Sequence, residues 1–199
     1  MKERIIPYMK KRTAVIGALV SLLPMGQPLL IGTGAALTSA AVMLFVPEKA
    51  KAESARFYIK RGDEKLRNED YYGAISEFNK AIDINSNDSY AYRRRGRSKF
   101  WIQDYQGSLS DYNKSIEIDP SNKFTYQFRG DTKLDSGDSY GAISDFLKAI
   151  DIDPKDPYSY DFMGDAKQKL GDIKGACSDW RKALSLGGKF SAKRIQKHC

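Results

Sequence analysis

The stretch GDTKLDSGDSYGAISDFLKAIDIDP, Gly130–Pro154, decides how this chain folds. In its second part Ala142, Phe146 and Ala149 recur at spacings of four and three. That is the stripe of an amphipathic helix whose small residues let a neighbour approach closely. Pro154 stops this helix, and Asp138 stands just ahead of it, where a carboxylate favours the helix dipole. In the first part Gly130 follows Tyr126 by one helical turn, which puts an aromatic knob beside a notch on a preceding helix. The stretch therefore reads as part of two antiparallel helices, neither of which buries its stripe alone.

Sliding the chain by 34 residues brings the same pattern back four times. Gly62, Gly96, Gly130 and Gly164 align, as do Asp70, Asp104, Asp138 and Asp172, and Gly73, Gly107, Gly141 and Gly175. So do Ala74, Ser108, Ala142 and Ala176, then Phe78, Tyr112, Phe146 and Trp180. The columns end with Ala81, Ser115, Ala149 and Ala183, followed by Ile82, Ile116, Ile150 and Leu184. Stacking such units completes a core that no single unit has. Asp88, Asn122 and Asp156 sit where the following first helices begin, as N-caps, with Pro157 at the favoured first helical position.

With these glycine, alanine, aromatic and proline columns, residues 55–190 resemble the tetratricopeptide repeat family. The resemblance implies an all-α solenoid: four helical hairpins at 55–88, 89–122, 123–156 and 157–190, with 191–199 as a capping helix. It also implies a concave groove lined by first helices, which takes a protein or peptide. On that analogy the lining residues are Tyr90, Arg93, Arg97 and Trp101 in the second unit. Phe124, Gln127, Asp131 and Asp135 follow in the third, and Tyr158, Asp161 and Asp165 in the fourth. Arg93 and Arg97 are either partner anchors or simply pair with Asp131 and Asp135. Some family members clamp the C-terminal carboxylate of chaperones with a Lys/Asn/Arg set; the matching positions here hold Ile59, Asp63, Arg94, Phe124 and Phe128, so that ligand is not expected. Arg61, Arg95 and Arg129 depart from a column that is usually aliphatic, restored at Met163; their stems are expected to pack with the guanidinium reaching solvent. Glu77, Asp111, Asp145 and Asp179 recur in a second-helix column and are candidates for ion pairs within each repeat.

The first 54 residues are of another kind. Residues 1–12 are basic, and Thr13–Val46 is a run of 34 residues without a charge, broken by Pro24-Met25-Gly26-Gln27-Pro28. About 20 apolar residues cross a bilayer as a helix, so residues 13–46 read as a hydrophobic membrane anchor, with 47–54 a linker. Basic residues ahead of the run keep the N-terminus in the cytoplasm and put the repeats on the other side. The alternative is a signal peptide cleaved near Ala50-Lys51-Ala52, which would release the repeats into a periplasm, lumen or exterior.

About half of the +8 net charge belongs to residues 1–54, since they hold seven of the 33 basic and three of the 25 acidic residues. The mixed-sign remainder argues against a nucleic-acid surface. Cys177 is either a small core residue or, in an exported domain, the partner of Cys199 in a disulfide that staples the last unit. The one histidine, His198, falls in what reads as a mobile tail, and there is no catalytic triad, metal-ligand spacing or phosphate-binding glycine loop. The expectation is a non-catalytic interaction scaffold without cofactor or metal; a self-associating structural protein is the alternative.

Overall fold

A computed structural model describes residues 48–199; the uncharged run and its anchor-or-signal reading lie outside the described residues. The elements are α1 (Glu48–Arg67), α2 (Tyr71–Ile84), α3 (Ser89–Trp101), α4 (Tyr105–Ile118), α5 (Lys123–Asp135), α6 (Ser139–Ile152), α7 (Pro157–Lys169), α8 (Ile173–Ser185) and α9 (Ser191–His198). Among the described residues there is no strand, and no helix is long and apolar enough to cross a membrane. The helices α1, α3, α5 and α7 each pack against the helix that follows, each hairpin packs on the next, and α9 packs on α8. Residues 48–54, expected as a linker, are instead the first two turns of α1. The stretch EKAKAES contains no glycine or proline to stop a helix, so α1 continues past the boundary of the repeat.

The repeated columns explain the hairpin. Phe78, Tyr112, Phe146 and Trp180 are all buried, and each ring lies directly on the glycine of the preceding helix. A Cβ at Gly62 would stand 2.6 Å from Phe78 Cε1, and one at Gly130 2.7 Å from Phe146 Cε1. The notch beside each tyrosine is thus filled from the partner helix, with no room for a Cβ at Gly62, Gly130 and Gly164 and little at Gly96. The second glycine column has a different cause. Asp70, Asp104, Asp138 and Asp172 cap α2, α4, α6 and α8 by accepting the N–H of Gly73, Gly107, Gly141 and Gly175 at 2.8–2.9 Å. A side chain on those glycines would run into the capping carboxylate. Each cap is worth about 1 kcal/mol.

The arginine and acid columns meet in a seam between the two helices of a repeat. Arg95 holds Asp111 with two hydrogen bonds, Nε at 2.8 Å and Nη2 at 2.6 Å, and its Nη1 donates to Asn79 of the hairpin before. Arg129 repeats this on Asp145, at 2.9 and 2.6 Å, and on Asn113. Arg61 stands 3.3 Å from Glu77. Lys99 and Lys133 add a second cation at 2.9 Å to Asp111 and Asp145. In the last repeat Met163 replaces the arginine, and Lys167 alone pairs with Asp179 at 2.7 Å. The Arg95 and Arg129 guanidiniums therefore do not reach out to solvent as the sequence suggested; forks aimed at buried carboxylates are the stronger option. Burial outweighs the Lys167 pairing at Asp179 and raises its carboxyl above the ordinary range.

Candidate partner-binding groove

The first helices bring most of the sequence-predicted residues to one face, but their environments divide sharply along it. At the front, Asp63 accepts the Tyr90 hydroxyl at 2.7 Å and Arg94 Nε at 2.6 Å. These residues and Ile59 line an open depression of about 520 Å³ whose walls also carry Arg56, Lys60 and Arg67. A carboxylate clamp would need Arg94 free, and here Asp63 already occupies it.

In the middle, Arg93 lies over the Tyr90 ring at 5.0 Å and the Phe124 ring at 6.0 Å, and Arg97 over Phe128 at 5.0 Å. Among the described residues neither arginine has a carboxylate within ion-pair distance, so the expected alternative of pairs with Asp131 and Asp135 is not realised. Burial holds the Arg93 guanidinium below the usual arginine range. Tyr90, Trp101 and Phe124 are 38%, 50% and 47% exposed. Trp101 is not free-standing, because it stacks on Tyr71 of α2 at 5.9 Å between centroids.

Toward the C-terminus the groove changes character. Gln127 does not line it: the side chain is buried and donates to Asp156 at 2.7 Å and Ser159 at 2.8 Å, tying α5 to the start of α7. Asp161 is likewise buried, accepting a hydrogen bond from Ser191 of α9, and Asp165 accepts from Trp180 Nε1 at 3.1 Å and from Arg194 of α9. Both changes follow from helix-to-helix approach, which turns Gln127 of α5 and Asp161 of α7 into the neighbouring element instead of into the cleft; Arg93, at the equivalent position of α3, has no such polar partner and lies over rings. Asp131 keeps its place on the groove; burial, then Asp135 and Asp165, push its carboxyl up to about 6. Asp135 is exposed, 3.9 Å from Lys169. Tyr158 is half exposed, with Phe190 leaning on it.

The tail is ordered against the last hairpin. Cys177 and Cys199 form a disulfide with Cα atoms 5.8 Å apart, within the usual range. Ile195 packs on Ala176, Cys177 and Trp180. His198, expected in a mobile segment, sits 5.8 Å from the Trp180 ring and meets Gln168 at 2.9 Å. The sequence carried no signal for the Ser191 and Arg194 contacts beyond the basic composition of this helix.

The tetratricopeptide repeat family model matches residues 55–88 and 125–156. The solved structures most like this one include MamA, 20% identical with a TM-score of 0.65 over 72% of this chain and 79% of that one. The chain carries tetratricopeptide repeats. MamA residues 41 to the end from Desulfovibrio magneticus RS-1 align at 20% identity with a TM-score of 0.64, over 74% of this chain and 89% of that chain. The first repeat domain of Spaghetti (RPAP3), solved with the HSP90 peptide SRMEEVD, aligns at 18% identity with a TM-score of 0.59, over 60% of this chain and 95% of that one. No curated protein matches this chain. At these identities the structural likeness is one of fold.

Proposed function

We propose that this repeat protein is a non-catalytic assembly module whose groove receives an acidic segment of another protein along its second and third repeats. The observation that carries the reading is the pair Arg93 and Arg97. They are partly buried guanidiniums, stacked on aromatic rings and without a carboxylate partner among the described residues. A desolvated cation without a counter-ion is costly, and an arriving carboxylate relieves that cost while gaining a charge-assisted fork. The half-exposed Tyr90, Trp101 and Phe124 beside them are the residue types that anchor interfaces. That Spaghetti holds an acidic peptide on the same fold supports the partner class; the different residues at the clamp positions argue for a different docking mode.

The groove belongs, in this reading, on the non-cytoplasmic side of a membrane, with Thr13–Val46 as a retained anchor or a cleaved signal. The supports are the length of the uncharged run and a disulfide, which persists in oxidising compartments. N-terminal sequencing of the mature protein after membrane fractionation separates anchor from signal.

The groove is tested with labelled peptides that carry two to four Asp/Glu residues and one aromatic. The double variant Arg93→Glu, Arg97→Glu is expected to weaken the best binder at least tenfold, as for loss of a charge pair worth about 1.5–3 kcal/mol. Its helical circular dichroism should be unchanged. Undiminished binding by that variant would sink the proposal. Concentration-dependent sedimentation of the full chain tests the alternative, self-association through the terminal faces of the array.

A further inference from the structure

We propose that α9 is a redox-held plug: it occupies the C-terminal end of the groove, and reduction of the Cys177–Cys199 disulfide frees Asp161 and Asp165 for an arginine-bearing segment of a partner. Helix α9 stands where the first helix of a further repeat would pack, but its hold on the array is narrow. It is eight residues long, has no side-chain N-cap, and carries no acid in its first turn. So short a helix has no stability of its own. Of its residues only Ser191 is buried, whereas Ala192, Lys193, Gln196 and Lys197 are exposed. Gly187-Gly188 joins it to α8, with Gly187 at a φ of +89°. What seats it is Ser191 on Asp161, Arg194 on Asp165, the packing of Ile195 and His198 around Trp180, and the covalent bond.

The site beneath is built for a guanidinium. Asp161 and Asp165 lie one turn apart on α7, and Arg194 reaches both. Asp161 is 2% exposed, and its Oδ2 has no hydrogen-bond partner among the described residues, so a carboxylate oxygen is held ready for a donor that α9 does not supply. A partner arginine with a better-placed fork would use it.

The disulfide is reachable from one side, since Cys199 is exposed whereas Cys177 is 6% exposed. A dithiol reductant attacks Cys199 Sγ as a thiolate; the S–S bond breaks, and Cys177 leaves as a thiolate that takes up a proton. The reductant's second thiol then displaces Cys199. The reductant departs as its own disulfide, and two electrons and two protons have passed to the protein, leaving two thiols.

Hydrogen exchange of the full chain, oxidised and after dithiothreitol, tests the plug. Amides of residues 191–199 are expected to exchange at least tenfold faster once reduced, with the amides of α3 to α6 unchanged. Cys199→Ser should show the same fast exchange without reductant. A labelled peptide of residues 189–199 carrying Cys199→Ser should then bind the reduced protein and the Cys199→Ser protein but not the oxidised one, and its Arg194→Glu form should bind none. Slow exchange that persists in the Cys199→Ser protein, free thiols at both cysteines in the untreated protein, or equal binding of the two peptides overturns the proposal.

Discussion

Arg93 and Arg95 are two residues apart on α3, and the helix turns them into regions with opposite electrostatics. Arg95 enters the seam, where Asp111 takes its fork and Asn79 its remaining nitrogen; Arg93 enters the groove, where it finds only rings. Arg129 copies the first fate on Asp145, and Arg97 the second on Phe128. The carboxylates divide in the same way. Asp111 and Asp145 in the seam each have an arginine and a lysine, while Asp131 on the groove faces Asp135 and Asp165, whose effect Lys169 and Arg97 offset only in part. The seam therefore uses charge to hold the helices together, whereas the middle of the groove keeps charge uncommitted. A fold that needs its charges satisfied has left the unsatisfied ones where another molecule can arrive.

The contrast breaks most visibly at Asp145, whose side chain is 3% exposed between Arg129 and Lys133. Asp145→Ala strands two partly buried cations and is expected to cost about 3–5 kcal/mol in urea unfolding, the range for removing one partner of a buried pair. Replacing both members of the fork, Arg129→Met with Asp145→Leu, should recover part of that loss, because the apolar pair avoids one desolvation penalty while Lys133 stays without its carboxylate. The last repeat already carries half of that change, with Met163 in the arginine column. If the single and double variants are equally damaged, the seam acts through packing and its charges are incidental.

The hairpins were legible because their causes repeat. A glycine that must admit a ring, a glycine that must admit a capping carboxylate, and an Ala–aromatic–Ala stripe each leave a column at a 34-residue period. The groove was legible only in part, because position within a helix predicts direction but not who arrives from the next hairpin. Gln127 and Asp161 occupy equivalent positions, and both are buried for reasons placed 29–32 and 30 residues away, at Asp156 and Ser159, and at Ser191. The cap was foreseen as a polar lid. Its use of Arg194 on Asp165 depends on where α9 seats after Gly187-Gly188, and no local pattern encodes that. The start of α1 was misjudged because repeat boundaries were taken as helix boundaries.

A smaller effect sharpens the contrast at Asp131. Its folded pKa, about 6, lies above the ordinary 3.8. The stability it lends is therefore full below about pH 4 and is lost as pH rises through 6. Two units correspond to about 2.7 kcal/mol as an upper bound, and partial solvation reduces that to about 1–2 kcal/mol. Asp131→Asn should match the parent protein at pH 4 and exceed it by about that amount at pH 7.5, read from paired urea titrations. A variant equally stable at both pH values would mean that Asp131 ionises freely and the groove's acids are no burden.

The smallest expected effect discriminates best. Arg93→Met keeps an unbranched stem over Tyr90 and Phe124, and a thioether on an aromatic ring recovers part of what the cation–π contact gave, about 0.5–1 kcal/mol. It also removes a desolvated charge with no counter-ion, so the two terms oppose, and the stability change should stay within about 0.5 kcal/mol. The same substitution two residues on, Arg95→Met, leaves Asp111 at 4% side-chain exposure with Lys99 alone, and should cost several times more. Measured side by side in urea, the two variants isolate location from chemistry, since residue type, helix and replacement are identical. Acidic-peptide binding should move in the opposite order, lost in Arg93→Met and retained by whatever fraction of Arg95→Met remains folded. Equal destabilisation by the two would make Arg93 a structural residue and would remove the reason for reading its side of α3 as a docking surface.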